Sequence, residues 1–243
     1  MIDKIERIKS LIKQASWKQA IIIRQDQKTI FEENSHVEFK SASLIKLGIA
    51  LYIKCQRPDT LDDVVILKPN QIVGGAGVIN RLSIKRYKIR DLIDLMLCLS
   101  DNTATNALLD YYGLEKINAF LQENFDQVQL GRYLMKLGPE NLVSCVTIMD
   151  IFEQLLAGDD CVTALVKNAL KYQQVRNKLV AYVNPKYTSF NKTGELIDIQ
   201  HDIARFENKD DLIDCCVMNS YDDIANYEQI IEMMAQIGKI LTN

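Results

Sequence analysis

The sequence predicts an α+β fold in which segments from both ends of the chain build one antiparallel sheet flanked by helices. Three observations predict it. Branched and aromatic runs of strand length lie near the N-terminus, three more lie between residues 187 and 218, and most of the chain between them spaces its apolar residues as helices do. Strands at the two ends with helices between them imply that the termini meet in one sheet.

Taken in order, Ile2, Ile5, Ile8, Leu11 and Ile12 are apolar at helical spacing among charges, which predicts an amphipathic packing helix rather than a signal peptide. Gln19 to Arg24 reads as a buried strand, and Thr29 to Glu32 as its hairpin partner across the polar turn Gln25 to Lys28. From Leu44 to Ile53 apolar residues wrap nearly all round a helix, as they do inside a domain. Gly74, Gly75 and Gly77 read as a permissive turn, because the phosphate-binding alternative lacks its Lys-Ser/Thr ending. Helices are expected over Ile89 to Leu99, Thr103 to Tyr111, Leu114 to Glu123, Thr147 to Leu156 and Val162 to Tyr172, with an irregular segment over Phe125 to Ser144. The period then changes. Tyr187 to Asn191, Ile199 to Phe206 and Leu212 to Met218 are strand candidates, and Ile224 to Ile240 is a closing amphipathic helix.

Composition narrows the function classes. With 243 residues, 48% of them hydrophobic and 25% charged, the chain can bury a large core in one domain or two closely joined parts. Its net charge is −3, and the densest basic run, Arg81 to Arg90, has Ile84, Tyr87 and Ile89 interleaved, so a solvated helix approach is expected and no nucleic-acid partner. No stretch has the charge-free apolar length of a membrane span, and no membrane partner is expected. The six cysteines lie mostly in apolar or helical surroundings and show no metal-ligand spacing. Reduced core thiols, no metal or organic cofactor, and a soluble, monomeric, cytoplasmic protein are therefore expected.

The polar residues that break these patterns carry the chemistry. Ser43 and Lys46 lie three apart on the apolar helix, so they share a face on which the ammonium can reach the hydroxyl. If that helix begins near Ser43, its free N–H groups favour negative charge developing there, and burial lowers the lysine pKa so that Lys46 could accept the serine proton. Ser-x-x-Lys alone is weak: Ser10 to Lys13 and Ser189 to Lys192 also spell it. Ser100-Asp101-Asn102 read alone is equally an ordinary helix cap. Lys192-Thr193-Gly194 falls at the end of a strand candidate, where glycine permits close approach of a ligand or backbone.

Together and in this order, the three motifs are those of serine β-lactamases and penicillin-binding proteins. The later motifs fit Ser43 and not the decoy at Ser10. Further similar stretches run from Gly75 to Val78, from Ser100 to Gly113 and from Lys192 to Ala204, and the chain resembles class A β-lactamases over nearly its whole length. The resemblance implies a mainly helical part, residues 41–186, inserted into an α/β part made of 1–40 and 187–243, with the active site in the groove between them. It implies a small-molecule β-lactam, amide or ester substrate, Ser43 as the nucleophile, and Lys46 and Ser100 as proton relays. Asn102 would bind a substrate amide, Lys192 and Thr193 with Gly194 would form the carboxylate subsite, and the N–H groups of Ser43 and Glu195 would form the oxyanion hole.

Two departures stand beside this resemblance. The family's Arg-x-Glu-x-x-x-Asn loop, whose glutamate activates the deacylating water, is matched by Arg132 to Gly138, and Leu134 stands where the glutamate belongs. The nearest carboxylate, Glu140, is at the wrong offset. Slow release of the acyl group is the expectation, and a penicillin-binding-protein-like peptidase or esterase, or a non-turnover acyl-binding protein, remains the alternative. By offset, His201 stands near a substrate-facing position, where it could contact a carboxylate or titrate near neutral pH; a partnerless surface histidine is the competing reading. His36 has no supporting context.

Overall fold

The computed structural model describes residues 1–243. Helix α1 (Ile2–Ile12) leads into strands β1 (Lys18–Gln25), β2 (Lys28–Glu33) and β3 (Glu38–Lys40), then helix α2 (Ile45–Gln56). Strands β4 (Val64–Ile66) and β5 (Arg86–Lys88) pair with each other ahead of α3 (Ile89–Cys98), α4 (Asn102–Tyr112) and α5 (Leu114–Asn124). Short strands β6 (Val128–Gln129) and β7 (Leu142–Ser144) precede α6 (Cys145–Leu156) and α7 (Cys161–Lys171). The chain ends with β8 (Thr188–Leu196), β9 (Ile199–Glu207), β10 (Leu212–Ser220) and α8 (Asn226–Thr242).

The main sheet has the order β2-β1-β10-β9-β8 and is antiparallel throughout. N- and C-terminal segments therefore meet at the β1/β10 pair, as the α+β reading expects. The reason β1 reads as an unbroken apolar run is visible in its two faces. Ala20 and Ile22 enter the larger core, shared with α2 and the neighbouring helices, whereas Ile21 and Ile23 enter a second core beneath α1 and α8. A sheet covered on both sides needs apolar residues at both parities. Burying an α2 that is apolar on nearly every side follows the same logic: Ile45, Leu47, Ile49, Leu51 and Ile53 are all buried.

Three expectations are corrected. Strand β8 does not stop at Asn191 but runs on to Leu196, with Lys192, Thr193 and Gly194 paired to Ile203, Asp202 and His201 of β9. The polar tripeptide looks like a strand terminus in sequence because its burial is tertiary. The segment Phe125 to Ser144 is not wholly irregular: β6 and β7 join β3 in a second small sheet. The cysteines are all free, but Cys55 and Cys161 are exposed, leaving Cys145, Cys215 and Cys216 as the fully buried thiols. No helix is long and apolar enough to cross a membrane.

Candidate active site

A groove of about 210 Å³ lies where the 3₁₀ turn Ala42–Leu44, the end of β8, the glycine turn at 75–76 and the loop 132–141 meet. Close approach creates it. A Cβ on Gly194 would stand 3.1 Å from the Ser41 carbonyl and 3.2 Å from Leu44 Cγ, so glycine there lets the 3₁₀ turn sit against β8. Ser43 and Glu195 both line the groove as a result. Ser43 does not open the α-helix itself: it belongs to the 3₁₀ turn, and α2 begins at Ile45.

The second motif is held as both cap and site. Asp101 caps α4 by accepting from the Ala104 N–H at 2.9 Å, while its other oxygen accepts from the N–H groups of Val78 and Ile79 at 2.7 and 2.9 Å. Asn102 Nδ2 donates to the Gly74 carbonyl at 3.2 Å and its N–H to the Ala76 carbonyl at 3.1 Å. These bonds tie the glycine turn to the groove wall. Ala42 and Ser100 both have left-handed backbone, φ +46° and +55°, an uncommon conformation costing about 1 to 3 kcal/mol each that clusters at functional sites.

Behind the groove surface, Lys46 and Lys192 meet at one hydroxyl. Lys46 Nζ lies 2.6 Å from the Ser100 carbonyl, 3.1 Å from Ser100 Oγ and 2.9 Å from Asn102 Oδ1. Lys192 Nζ donates to Ser100 Oγ at 3.0 Å and to the Thr193 carbonyl at 2.8 Å. The expected Lys46 contact is corrected accordingly: its hydrogen bonds go to Ser100 and Asn102, and none goes to Ser43. Both lysines are fully buried. Burial, and next the charge of Lys192, holds Lys46 well below the usual lysine range. Burial likewise brings Lys192 to about 7, against the opposing pull of Asp202. Desolvation outweighs the like-charge repulsion that the motif pattern suggests. This arrangement can hold neutral amines beside a hydroxyl, the condition for passing a proton.

Leu134 is buried in the opposite wall, and buried Asn106 clamps its backbone: Leu134 N–H donates to Asn106 Oδ1 at 2.8 Å and Asn106 Nδ2 returns to the Leu134 carbonyl at 3.0 Å. Glu140 lines the groove too, yet its carboxylate is taken by Arg132 Nη2 at 3.2 and 3.0 Å. Asn141 fastens the same loop by accepting from the N–H groups of Gly131 and Arg132.

Of the predicted site residues, Ser43, Asn102 and Glu195 line the groove, and Lys46, Ser100 and Lys192 lie behind it. Thr193 is buried with its hydroxyl on Gln173, Gly194 packs under the 3₁₀ turn, and the partners of His201 lie elsewhere. His201 is fully buried, its Nε2 lies 3.0 Å from the Lys40 carbonyl, and its Nδ1 accepts from the Asn219 N–H at 3.1 Å. Burial lowers it to about 4, so it is a neutral spacer on β9 that bridges β3 and β10, neither substrate-facing nor a partnerless surface group. Three residues escape sequence reasoning. Gln173 Nε2 donates to Thr193 Oγ1 at 3.1 Å, Asn106 clamps Leu134, and fully buried Lys178 donates to Glu195 Oε1 at 2.7 Å. A lysine heading the apolar run Leu179 to Val183, and an asparagine among the apolar residues of α4, were the available signals.

An α+β fold with a serine in its groove and two buried lysines meeting at one hydroxyl matches the serine β-lactamase-like class of proteins. The chain belongs to the beta-lactamase enzyme family, whose model matches residues 4–243. No curated protein matches it significantly. Among solved structures, a β-lactamase from Sphaerobacter thermophilus is 21% identical, with a TM-score of 0.84 over 98% of this chain and 94% of that one. An ancestral class A β-lactamase is 18% identical, with a TM-score of 0.85 over 98% of each chain. A third similar structure is a leucine-to-glutamate variant of PBP-A in an acyl-enzyme complex with penicillin G, 18% identical, with a TM-score of 0.84 over 100% of this chain and 96% of that one. These likenesses establish the fold.

Proposed function

We propose that the protein is a serine hydrolase that opens a β-lactam, amide or ester through an acyl-enzyme on Ser43 and releases the acyl group slowly. The observation that carries the reading is the pair of buried lysines joined through Ser100 Oγ, behind a groove that Ser43 and Asn102 line and in which Leu134 stands at the expected glutamate position. Ser43 Oγ attacks the carbonyl carbon as its proton passes to Lys46, which turns from its Ser100 and Asn102 partners to receive it and whose burial favours the neutral amine. Ser100, between the lysines, then delivers its hydroxyl proton to the leaving group as the bond breaks and recovers a proton from Lys46, which returns to the neutral amine. The N–H groups of Ser43 and Glu195 receive the oxyanion, where loss of one such donor typically costs about 2.7 to 4 kcal/mol of barrier. Asn102, Lys192 and Thr193, with Gly194 giving access, hold the substrate.

Leu134 favours slow release, because a leucine cannot take a proton from water and Glu140 is engaged by Arg132. The captured acyl-enzyme of a PBP-A variant supports acyl chemistry on this scaffold. Intact-protein mass spectrometry after mixing with a reporter penicillin and a reporter cephalosporin tests the proposal. A long-lived adduct in the wild type that is absent from a folded Ser43→Ala variant is the expected result. An adduct that persists in Ser43→Ala, or full hydrolytic activity there, overturns it.

A further inference from the structure

The charges along the groove are matched internally before any substrate arrives. Thr193 and Glu195 are two apart on β8, so their side chains share a face of the strand with Cβ atoms roughly 7 Å apart. Glu195 thus places a carboxylate beside the hydroxyl assigned above to a substrate carboxylate. It is anchored there. Lys178 Nζ, with no exposed side-chain surface, donates to Glu195 Oε1 at 2.7 Å, while the Glu195 side chain is 44% exposed at the groove. The remaining cations are also occupied: Arg132 lies on Glu140 and on the Lys136 carbonyl, Lys46 is held by Ser100 and Asn102, and Lys192 by Ser100 and Thr193. Lys192 is moreover only partly charged near neutrality, since burial brings it to about 7. The rest of the lining adds no cation and includes Leu134, Met135 and Leu196.

We propose that the Glu195 carboxylate, fixed beside Thr193 by buried Lys178, selects acyl donors that are uncharged next to the scissile bond, neutral amides or esters with an apolar body, over donors carrying a carboxylate there. Glu195 is a specificity residue through its side chain, separately from the backbone N–H used for the oxyanion. Repulsion outweighs attraction because the Glu195 carboxylate is exposed at the groove while the Lys178 ammonium that fixes it is fully buried and outside the lining. The inference rests on Ser43 being the acylated nucleophile.

Benzylpenicillin and its methyl ester differ at this position only by the carboxylate. Their rates of Ser43 acylation, followed by mass spectrometry and divided by their rates of hydroxide hydrolysis, give an acid-to-ester ratio for each protein. The wild type is expected to favour the ester. In Glu195→Gln, which keeps an acceptor for Lys178, the ratio is expected to rise about tenfold, the scale of one removed charge at this separation in a partly solvated site. Adding Lys178→Met to Glu195→Gln removes the uncovered cation and returns the ratio towards the wild-type value. A wild type that favours the acid overturns the inference without any variant, and so does a folded Glu195→Gln with an unchanged ratio. Failure of both probes to label Ser43 overturns the serine-nucleophile reading and this inference with it, whereas labelling without charge preference overturns this inference alone.

Discussion

On the proposed acyl-enzyme reading, Leu134 is where one side chain separates acylation from turnover. Its backbone is pinned by Asn106 and its side chain faces the groove shared with Ser43, so a carboxylate placed there would point at the space a deacylating water must occupy. Leu134→Glu is therefore expected to shorten the acyl-enzyme lifetime by a factor on the order of 100, the lower range for a well-placed general base. Adduct decay by mass spectrometry measures it, and an unchanged lifetime would show that release is limited elsewhere. Ser43, Lys46, Ser100, Asn102, Lys192 and Thr193 stood out in the sequence as three motifs in a familiar order, and the structure gathers Lys46, Ser100, Asn102 and Lys192 into one hydrogen-bond network. Lys178 and Asn106 did not stand out, since each acts through a partner brought close only by folding: Glu195 seventeen residues away and Leu134 twenty-eight away. His201 was misread because offset gives a strand position and not the direction of its ring.

Among the elements, the glycine turn shows how a loop fixes a site without supplying a reacting group. Gly77 has φ +104°, and a Cβ there would overlap the Asp101 carboxylate that caps α4 and receives the Val78 and Ile79 N–H groups. Gly77→Ala is expected to destabilise the protein by on the order of 2 kcal/mol or more, through left-handed strain and displacement of that cap. Urea unfolding measures it, and a midpoint equal to wild type would refute the account. The sequence marked this turn as permissive but could not reveal what it packs against. Helices were legible to within a few residues because their apolar spacing is local, as in α3 and α8. Strand β8 was cut short because buried polar residues resemble a strand end, and β6 and β7 were missed because strands of two or three residues carry too little pattern.

Across the whole molecule, the groove imposes a pH-dependent cost on the fold. Lys192 is fully buried, and burial lowers it from the usual 10.5 to about 7. Between these two values the unfolded chain binds the proton more readily than the folded one, so this residue's contribution to stability increases as pH rises from about 7 towards 10.5. Lys46 and Lys178, also lowered chiefly by burial, act with the same sign. The buried thiols of Cys215 and Cys216, pushed well above 9, act with the opposite sign once unfolded thiols ionise. Asp202, raised to about 7 by burial, changes its contribution below that window. Comparing the wild type with Lys192→Met cancels the groups that do not feel the Lys192 charge, the buried thiols among them. From pH 7 to 9.5 the wild type is expected to gain about 3 kcal/mol relative to the variant, and a gap independent of pH would mean that the Lys192 ammonium is not desolvated. The same desolvation that weakens the fold near neutrality keeps an amine available beside Ser100, so the variant should also lose Ser43 acylation while its own stability varies less with pH.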